Sequence, residues 1–281
     1  MKHKRLLSAG LLCLLGIGIA SVQCVLTERH YIVTSSKLPA GKRVRLVMLS
    51  DLHSCVFGKD QSPLINKIRD ADPDLILLCG DIVDDRQPTR GAALLLKGIT
   101  EIAPCFYVSG NHEYWSAAPE NTFASIAAYG IRVLQNEREQ VSVNGVELIL
   151  CGVEDPAASG VHKPHSYGSR DAYISHLCAF DDLPPERYTV LLAHRPEYFE
   201  EYAAHPFDLV LSGHAHGGQF RFPPLLNGLV APGQGFFPKY AGGIYRTDSM
   251  VEIVGCGLVV DWRLRLFNPP EIVVVDLEGS A

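Results

Sequence analysis

The chain has 281 residues, of which 47% are hydrophobic and 20% charged, a composition typical of a folded globular protein and not of a disordered or fibrous one. With 25 Lys and Arg against 31 Asp and Glu, the formal net charge is -6. Such a chain has no overall positive field to attract nucleic acid, so no specific nucleic-acid binding is predicted.

The first residues predict a membrane segment. A basic cluster at residues 2–5 precedes an uncharged, apolar run at residues 6–26, long enough to cross a bilayer core of ~30 Å as a helix. Because basic flanks stay in the cytoplasm, we expect a single-pass protein of the cell membrane with its remaining chain outside the cytoplasm. The alternative is a cleavable signal peptide, with Gly18 and Ala20 small enough for a cleavage site, and the protein would then be secreted.

The remaining chain predicts one α/β domain. We expect residues 1–27 to be the anchor or signal segment, residues 28–43 a juxtamembrane segment, and residues 44–281 the domain. In this last part short apolar runs end in polar, glycine-containing turns, and helical patterns follow them. Strands are predicted at residues 44–50, 74–79, 105–109, 131–134, 141–143, 146–151, 188–193, 208–212, 250–254 and 271–276, and helices at 61–70, 89–101, 119–129, 170–180 and 196–205.

Two further features refine this prediction. Asn144-Gly145, between two apolar runs, predicts a two-residue hairpin, so the α/β sheet should be mixed. The stretch 217–243 is rich in Gly and Pro and predicts a long ordered loop, which in a compact domain is usually functional. Its aromatic residues, together with Trp115, either pin the loop to the body or form an apolar wall beside a substrate: Phe220, Phe222, Phe236, Phe237 and Tyr240.

Potential metal ligands follow five predicted strands. The runs are Ser50-Asp51-Leu52-His53, Gly80-Asp81, Gly110-Asn111-His112-Glu113, Ala193-His194-Arg195 and Gly213-His214-Ala215-His216. Open α/β sheets bind their ligands at the carboxyl ends of strands. Asp, Asn and His without a CxxC thiolate pair suit Mn²⁺, iron or Zn²⁺. Residues two apart on an extended chain point the same way, so Asp51 with His53 and His214 with His216 are expected to form two chelating pairs.

Each motif alone has an ordinary structural explanation. Asp81 is a possible helix cap and Asn111 a possible turn residue, and a single buried His is more often a core residue than a ligand. Five such motifs in order, all at strand ends, favour a functional site.

Together the five motifs resemble those of the calcineurin-like metallophosphoesterases, over residues 44–276. The N-terminal apolar segment and the 217–243 loop resemble the membrane-associated, YkuE-like branch of that family. The resemblance implies a mixed two-sheet α/β sandwich, preceded here by a transmembrane helix. It also implies a hydrolase of phosphate esters, in particular phosphodiesters, with two divalent metal ions of the Mn²⁺, Fe²⁺/Fe³⁺ or Zn²⁺ type.

The resemblance also implies roles for individual residues. Asp51, His53 and His216 would hold one ion, Asn111, His194 and His214 the other, and Asp81 would bridge the two. His112 would contact a substrate oxygen and assist the leaving group. Glu113 stands where the family commonly has Asp, and its carboxylate is a candidate for orienting His112.

Three more residues are candidates with weaker support. Asp84 either supports the ligands or is a turn residue beside Asp85. Arg195 either clamps a phosphate or serves the turn into the following helix. Gln219 is a candidate hydrogen-bond donor to substrate.

The predicted substrate is a phosphate ester, which the membrane segment suggests is lipid-linked or part of the cell envelope. One alternative is a pyrophosphatase or phosphodiesterase acting on a lipid headgroup, as for a lipid-A precursor. A non-enzymatic alternative is a metal-binding surface interaction module, which is disfavoured because all seven ligand positions are intact.

Overall fold

The computed structural model of the protein describes residues 25–160, 165–222, 224–260 and 265–280. Two six-stranded sheets dominate these ranges. The first sheet has the strand order β1 (Thr27–Ser35), β14 (Glu271–Gly279), β2 (Arg43–Leu49), β3 (Leu75–Cys79), β4 (Cys105–Val108) and β5 (Arg132–Val133). The second has the order β12 (Gly243–Arg246), β13 (Val251–Val254), β9 (Leu209–Ser212), β8 (Tyr188–Leu192), β7 (Val146–Gly152) and β6 (Glu137–Val143).

Both sheets are mixed, as the sequence predicts. In the first, β14 is antiparallel to β2 and parallel to β1, while β2 to β5 are parallel. In the second, β7, β8, β9 and β13 are parallel and both edge strands are antiparallel to them. The predicted hairpin joins β6 to β7, with Asn144 at φ 55° and Gly145 at φ 75°, the backbone of a type I′ turn.

Helices cover the outer faces of the sheets. They are α1 (Ser62–Asp70), α2 (Arg90–Ile99), α3 (Asn111–Trp115), α4 (Pro119–Ala127), α5 (Arg170–Leu177) and α6 (Phe199–Tyr202), with 3₁₀ turns at Pro156–Gly160, Cys178–Phe180, Pro196–Tyr198 and His216–Gly218. On β2, Leu46 and Met48 face the core between the sheets, whereas Val47 and Leu49 pack with the α1 and α2 side. This alternation is the strand period of two, and it gives a sandwich of two sheets between helices.

Besides a short ribbon in the 217–243 loop, three strands or helices were not predicted from the sequence. They are β1, β12 and the short helix α3. Strand β1 begins at Thr27, the last residue of the expected anchor segment, and continues into the expected juxtamembrane segment 28–43, so this part of the chain contributes an edge strand to the first sheet. The 217–243 loop contains a two-stranded ribbon of β10 (Val230–Ala231) and β11 (Gly235–Phe236), where only irregular structure was expected.

The predicted membrane helix falls largely on residues 1–24, which lie outside the described ranges. In the part of the chain that the structure covers, no helix is both long and apolar enough to cross a bilayer. The last two residues of the predicted segment 6–26 are described: Val25 is exposed, and Leu26 packs against the core of the first sheet. The apolar run therefore ends inside the folded domain.

Candidate metal centre

The loops after β2, β3, β4, β8 and β9 meet at one edge of the sandwich. Asp51 N donates to the carbonyl of Gly80 at 3.0 Å, and His53 N donates to the carbonyl of Asp81 at 2.9 Å. On the second sheet, Gly213 N donates to the carbonyl of His194 at 3.0 Å. The structure thus brings the five sequence motifs to one place, because the parallel strands that carry them end at the same edge.

The local backbone differs from the expected extended pairs. Asp51 and His53 have φ 52° and 47°, and His214 and His216 have φ 62° and 49°. A positive φ is uncommon for residues other than glycine and persists only where the surrounding structure imposes it. Both members of each pair still reach the same group of side chains, but through left-handed turns instead of an extended chain.

Close approach of the loops requires glycine at two positions. A Cβ on Gly110 would lie 2.2 Å from Asp81 Oδ1, and a Cβ on Gly213 would lie 2.5 Å from Asp51 Oδ2. The Gly residues of these two motifs therefore leave room for the carboxylates.

The predicted ligands form two groups. In one, the donor atoms of Asp51, His53 and His216 all lie within 4.8 Å of one another. In the other, the same holds for Asp81, His194 and His214. The first group is the set predicted for one ion. The second group holds His194 and His214, two of the three ligands predicted for the other ion, together with the predicted bridge Asp81.

Asp81 belongs to the second group and also approaches His53 of the first, as a bridging ligand would. Its Oδ2 is 3.3 Å from His194 Nε2 and 3.6 Å from His53 Nε2. His112 N donates to Oδ1 of the same carboxylate at 2.9 Å. Although burial raises the pKa of Asp81, the imidazoles of His194 and His112 outweigh it and hold that pKa well below its usual range.

The donor set fits divalent cations. His194 Nδ1 lies 2.8 Å from the carbonyl of Cys79, which can only accept, so Nε2 of a neutral ring carries a lone pair toward the Asp81 carboxylate. His53 Nε2 and Asn111 Oδ1 are buried and have no hydrogen-bond partner. Buried polar atoms left this way are costly unless a ligand binds them. The carboxylate of Asp81 raises the pKa of His194 to about 10 against the effect of burial, so a positive charge is favoured at this point.

Asp84 contacts the predicted ligand His53, in agreement with the first of its two predicted roles, support of the ligands. Its Oδ2 lies 3.0 Å from His53 Nδ1, which leaves Nε2 of that ring as the ligand atom. Its Oδ1 accepts hydrogen bonds from the backbone N–H of Arg86 and Gln87 at 2.8 and 2.9 Å. Burial opposes ionisation here, but the hydrogen bonds from His112 and His53 keep the pKa of Asp84 well below its usual range.

Glu113 does not reach the imidazole that it was expected to orient. Its carboxylate accepts hydrogen bonds from the backbone N–H of Gly110 at 2.8 Å, Asp81 at 3.0 Å and Val83 at 2.9 Å. Glu113 therefore joins the loop after β3 to the start of α3. Burial, together with the charge of Asp81, raises its pKa.

His112 is held instead by two neighbouring carboxylates. Its Nδ1 lies 2.6 Å from Asp85 Oδ1 and 3.4 Å from Asp84 Oδ2. The side chain remains 17% exposed, at the border between the metal ligands and solvent. Burial lowers its pKa, but Asp81 and the two contacting carboxylates together raise it to about 9.

Arg195 forms an ion pair inside the protein. Its side chain is only 3% exposed, and its guanidinium forms a two-pronged ion pair with Asp155. This ion pair favours the structural role of Arg195 over the phosphate clamp, because its charge is already balanced inside the protein, and contact with a phosphate stays a prediction.

Gln219 lies three positions after the last predicted metal ligand, His216. It adopts φ 60°, and its carbonyl accepts hydrogen bonds from Leu266 N at 3.2 Å and Asn268 Nδ2 at 3.3 Å. Its backbone is thus fixed beside His216, and contact between its side chain and a substrate stays a prediction.

Sequence reasoning missed three residues of the site. Asp85 carried a weak signal, since it adjoins Asp84 in an acidic pair. Asp155 and Asn268 carried none, because they act from distant loops. Asn268 Nδ2 donates to the carbonyl of His216 at 2.7 Å and so fixes the turn that presents this ligand.

The sequence model of the calcineurin-like phosphoesterases matches residues 44–218. The chain therefore belongs to the calcineurin-like phosphoesterase family, as its motifs predicted. Proteins of this family are metallophosphoesterases that use a dinuclear divalent metal centre.

Several relatives carry the same class name. An uncharacterized metallophosphoesterase of Aquifex aeolicus is 29% identical over 91% of this chain and 93% of its own length. The uncharacterized metallophosphoesterase YkuE of Bacillus subtilis is 27% identical over 89% of this chain and 85% of its own. A bovine transmembrane protein with metallophosphoesterase domain is 28% identical, over 66% of this chain and 43% of its own.

Solved structures show the same fold. The sulfate thiohydrolase SoxB of Thermus thermophilus superposes with a TM-score of 0.52 at 15% identity, over 86% of this chain and 57% of its own. A dimetal phosphatase from Danio rerio superposes with a TM-score of 0.50 at 12% identity, over 77% of this chain and 88% of its own. At these identities the likeness concerns the fold alone.

Proposed function

We propose that this chain is a metal-dependent phosphodiesterase that works at the outer face of the cell membrane. The observation that carries the hydrolase assignment is Asp81, whose Oδ2 has one imidazole of each group of ligand atoms within 3.6 Å. Two divalent ions bound there would supply Lewis-acid activation of water and of a phosphoryl oxygen.

The protein side chains provide the remaining steps. Asp84 fixes the ring of His53 with Nε2 toward the ion, and the Cys79 carbonyl does the same for His194. His112, held through Nδ1 by Asp85, keeps Nε2 as the nitrogen that can donate a proton to the leaving oxygen. Cations among these carboxylates would lower its raised pKa toward neutrality, where a general acid is most effective.

Preference for a diester is supported by the charges around the site. The buried Arg195 beside the ligands is neutralised by Asp155, so it offers no charge to the second anionic oxygen of a monoester. Arg86 and Arg90, which line the cleft beside the ligands, are each paired with an aspartate as well. A cleft of about 440 Å³ opens beside His53 and His112, and it leaves room for a group on each side of the phosphorus. Both features favour a singly charged phosphate with two substituents.

The membrane location is supported by the sequence of residues 1–26 and by the path of the chain. An apolar run that follows a basic cluster leads directly into β1. The bovine relative is itself named as a transmembrane protein. A lipid-linked phosphodiester or pyrophosphate is therefore the favoured class of natural substrate. The alternative of an enzyme that acts on a lipid headgroup is a specific case of this proposal.

The test combines activity with topology. Metal-free protein, prepared by chelation, is reloaded with Mn²⁺, Zn²⁺ or Fe²⁺ and assayed with bis(p-nitrophenyl) phosphate and with p-nitrophenyl phosphate. We expect metal-dependent turnover that favours the diester. Faster turnover of the monoester would overturn the diester preference. Protease added to intact cells should cut the domain, and complete protection there, with cleavage after lysis, would contradict the outer location.

A further inference from the structure

Five large apolar side chains are exposed on the 217–243 loop and on the segment after residue 264 that pairs with it. The residues are Phe222, Leu225, Phe236, Phe237 and Phe267, exposed by 54%, 81%, 73%, 71% and 37%, and we call them the apolar rim. They include every exposed phenylalanine among the residues that the structure describes. Single exposed apolar residues are ordinary, but a group of this kind marks an interaction surface.

Hydrogen bonds hold the apolar rim in its exposed position. The rings of Phe222 and Phe267 pack edge to face at 5.8 Å. Leu225 N donates to the carbonyl of Phe222 at 2.8 Å, and Phe237 N donates to the carbonyl of Leu229 at 2.8 Å. The loop is thus ordered while these side chains point away from the core.

The same loop has an inner anchor. Tyr240 is buried, its ring stacks on Phe199 at 4.9 Å, and its backbone exchanges two hydrogen bonds with the amide of Gln234. Tyr240 therefore pins the loop to the body, one of the two expected roles of its aromatic residues. The rim residues do not share this role, so their exposure needs another explanation.

The rim lies at the metal-bearing edge of the sandwich. Phe222 is six positions after His216, and Phe220 forms a bridge with Leu266, next to Phe267. Even fully extended, six residues reach only ~20 Å. Phe222 therefore lies within about 20 Å of the predicted metal ligand His216, and Phe267 packs against Phe222.

The chain also enters the first sheet at this edge. Strand β14 is antiparallel to β2, so it begins where β2 ends and where Asp51 follows. Strand β1 is parallel to β14, and Thr27 lies beside Glu271. Two strand spacings, about 10 Å in all, therefore separate Thr27 from the end of β2.

Phe267 is connected directly to this point. It precedes Pro270 by three residues, and the carbonyl of Pro270 accepts hydrogen bonds from Thr27 N at 2.8 Å and Oγ1 at 3.0 Å. Val25, which is exposed, lies two positions before Thr27 in the sequence, and the apolar run precedes it. Val25, the Phe222–Phe267 pair and the predicted metal ligands therefore lie toward the same edge of the sandwich.

We propose that the apolar rim contacts the lipid bilayer in which the apolar segment before Val25 would be embedded, and that it turns the metal-bearing edge toward the lipid headgroups. This inference rests on the proposed membrane location and specifies the substrate class as a phosphate ester presented by a lipid. Aromatic side chains suit this contact because they bury apolar area in the interfacial region of a bilayer.

The first experiment measures contact with lipid. Full-length protein is placed in vesicles of three parts phosphatidylcholine to one part phosphatidylglycerol, with and without brominated acyl chains, and the fluorescence of Phe236→Trp is compared with that of Ile32→Trp. Ile32 is 59% exposed on β1 and shares the same N-terminal segment, but it lies about 17 Å along the strand from Thr27. The wild-type protein gives the background of the two native Trp residues.

We expect the tryptophan at position 236 to lose about half of its fluorescence to the bromine, since rim residues should enter the headgroup and acyl boundary. The tryptophan at position 32 should keep its fluorescence. Equal quenching at both positions, or none at position 236, would overturn the proposal. Loss of self-association in Phe236→Asp/Phe237→Asp, without quenching at position 236, would assign the rim to a second copy of the chain instead.

The second experiment separates the rim from the chemistry. Phe236→Asp/Phe237→Asp should turn over a phosphodiester embedded in the same vesicles about tenfold more slowly in kcat/KM, with little change toward soluble bis(p-nitrophenyl) phosphate. An unchanged rate on the vesicles would contradict the rim as a docking surface. If the wild-type protein hydrolyses neither substrate with any metal, the proposed function fails, while the quenching result still decides the contact with lipid.

Discussion

Arg195 and Asp155 form a buried ion pair beneath the metal centre, with Nε 2.6 Å from Oδ2 and Nη2 3.0 Å from Oδ1. The remaining Nη1 lies 3.3 Å from His214 Nε2. Burial lowers the pKa of His214 and the guanidinium lowers it further, to well below its usual range. The pair thus keeps a predicted metal ligand neutral and fixes the loop that carries it.

Breaking this pair should destabilise the fold. Asp155→Ala leaves the buried guanidinium of Arg195 with only the longer contact to Glu197, 3.6 Å from Nη1. Loss of the partner of a buried ion pair costs about 3–5 kcal/mol in the free energy of unfolding, and we expect a value toward the lower end. Urea denaturation would measure the change. The matched control is Asp182→Ala, which removes an exposed partner of Arg138 and should leave the midpoint nearly unchanged. Similar midpoints for both variants would contradict a structural role for the buried pair.

Replacing the central carboxylate should remove metal and activity together. Asp81→Asn keeps the size of the side chain but gives a neutral amide, which cannot bridge two cations as a carboxylate does. We expect lower metal content by elemental analysis and loss of most hydrolysis. Asp72→Asn, at a residue outside both ligand groups, serves as the control. An Asp81→Asn variant that retained both ions and near-normal turnover would contradict the assignment of Asp81 as the bridging ligand.

His112→Ala should behave differently from the ligand variants. Its imidazole borders the ligand groups without being a predicted ligand, so metal content should stay while kcat falls by roughly 10²–10⁴-fold. Loss of the metal in this variant would show that His112 had been given the wrong role. Asp85→Asn should lower kcat less, since it removes only the partner that orients the ring.

Glu113→Gln tests the link between the two loops. An amide nitrogen in place of Oε1 would face the N–H of Val83, a donor against a donor. Leaving that buried N–H unsatisfied should cost about 1–3 kcal/mol of stability. Metal affinity should fall as well, because the same carboxylate positions the backbone of Asp81. Thermal unfolding and metal titration would measure both effects, and an unchanged melting temperature would contradict them.

The pair of Arg45 and Asp276 predicts a dependence of stability on pH. Arg45 Nε and Nη2 donate to the carboxylate at 2.7 and 2.9 Å across β2 and β14, and these bonds lower the pKa of Asp276 from its usual 3.8. A lowered pKa contributes stability that is complete above the unfolded value and is lost as the pH falls through the folded value. The difference in melting temperature between wild type and Asp276→Asn should therefore be constant near neutral pH and vanish in acid. A constant difference down to about pH 2 would contradict it.

The buried strands and the ligands were predictable because their signals are local. Strands β4 and β8 are continuous apolar runs, and their observed ends lie within one residue of the predicted ends. Each ligand follows such a run directly, so the sequence order alone brings the ligands to one edge of the sandwich. The roles of Glu113 and Arg195 were not predictable, because they depend on which backbone amide or carboxylate the folded chain places opposite them.

Strand β1 escaped prediction for a different reason. Its sequence, TERHYIVTS, is mostly polar, and its partner begins at Glu271, near the other end of the chain. As an edge strand it has few buried side chains, so hydrophobic periodicity carries little information there. The strand forms because it pairs with β14, and a local sequence pattern does not reveal a partner so far away in the chain.

That pairing also sets the order in which the domain can be assembled. Thr27 can form its hydrogen bonds with Pro270 only after 243 further residues have been synthesised. During synthesis and any transport across a membrane, the first strand must stay without its neighbour, since contacts this far apart in sequence close last. Completion of the C-terminal strand is thus the event that locks the N-terminal end of the domain in place.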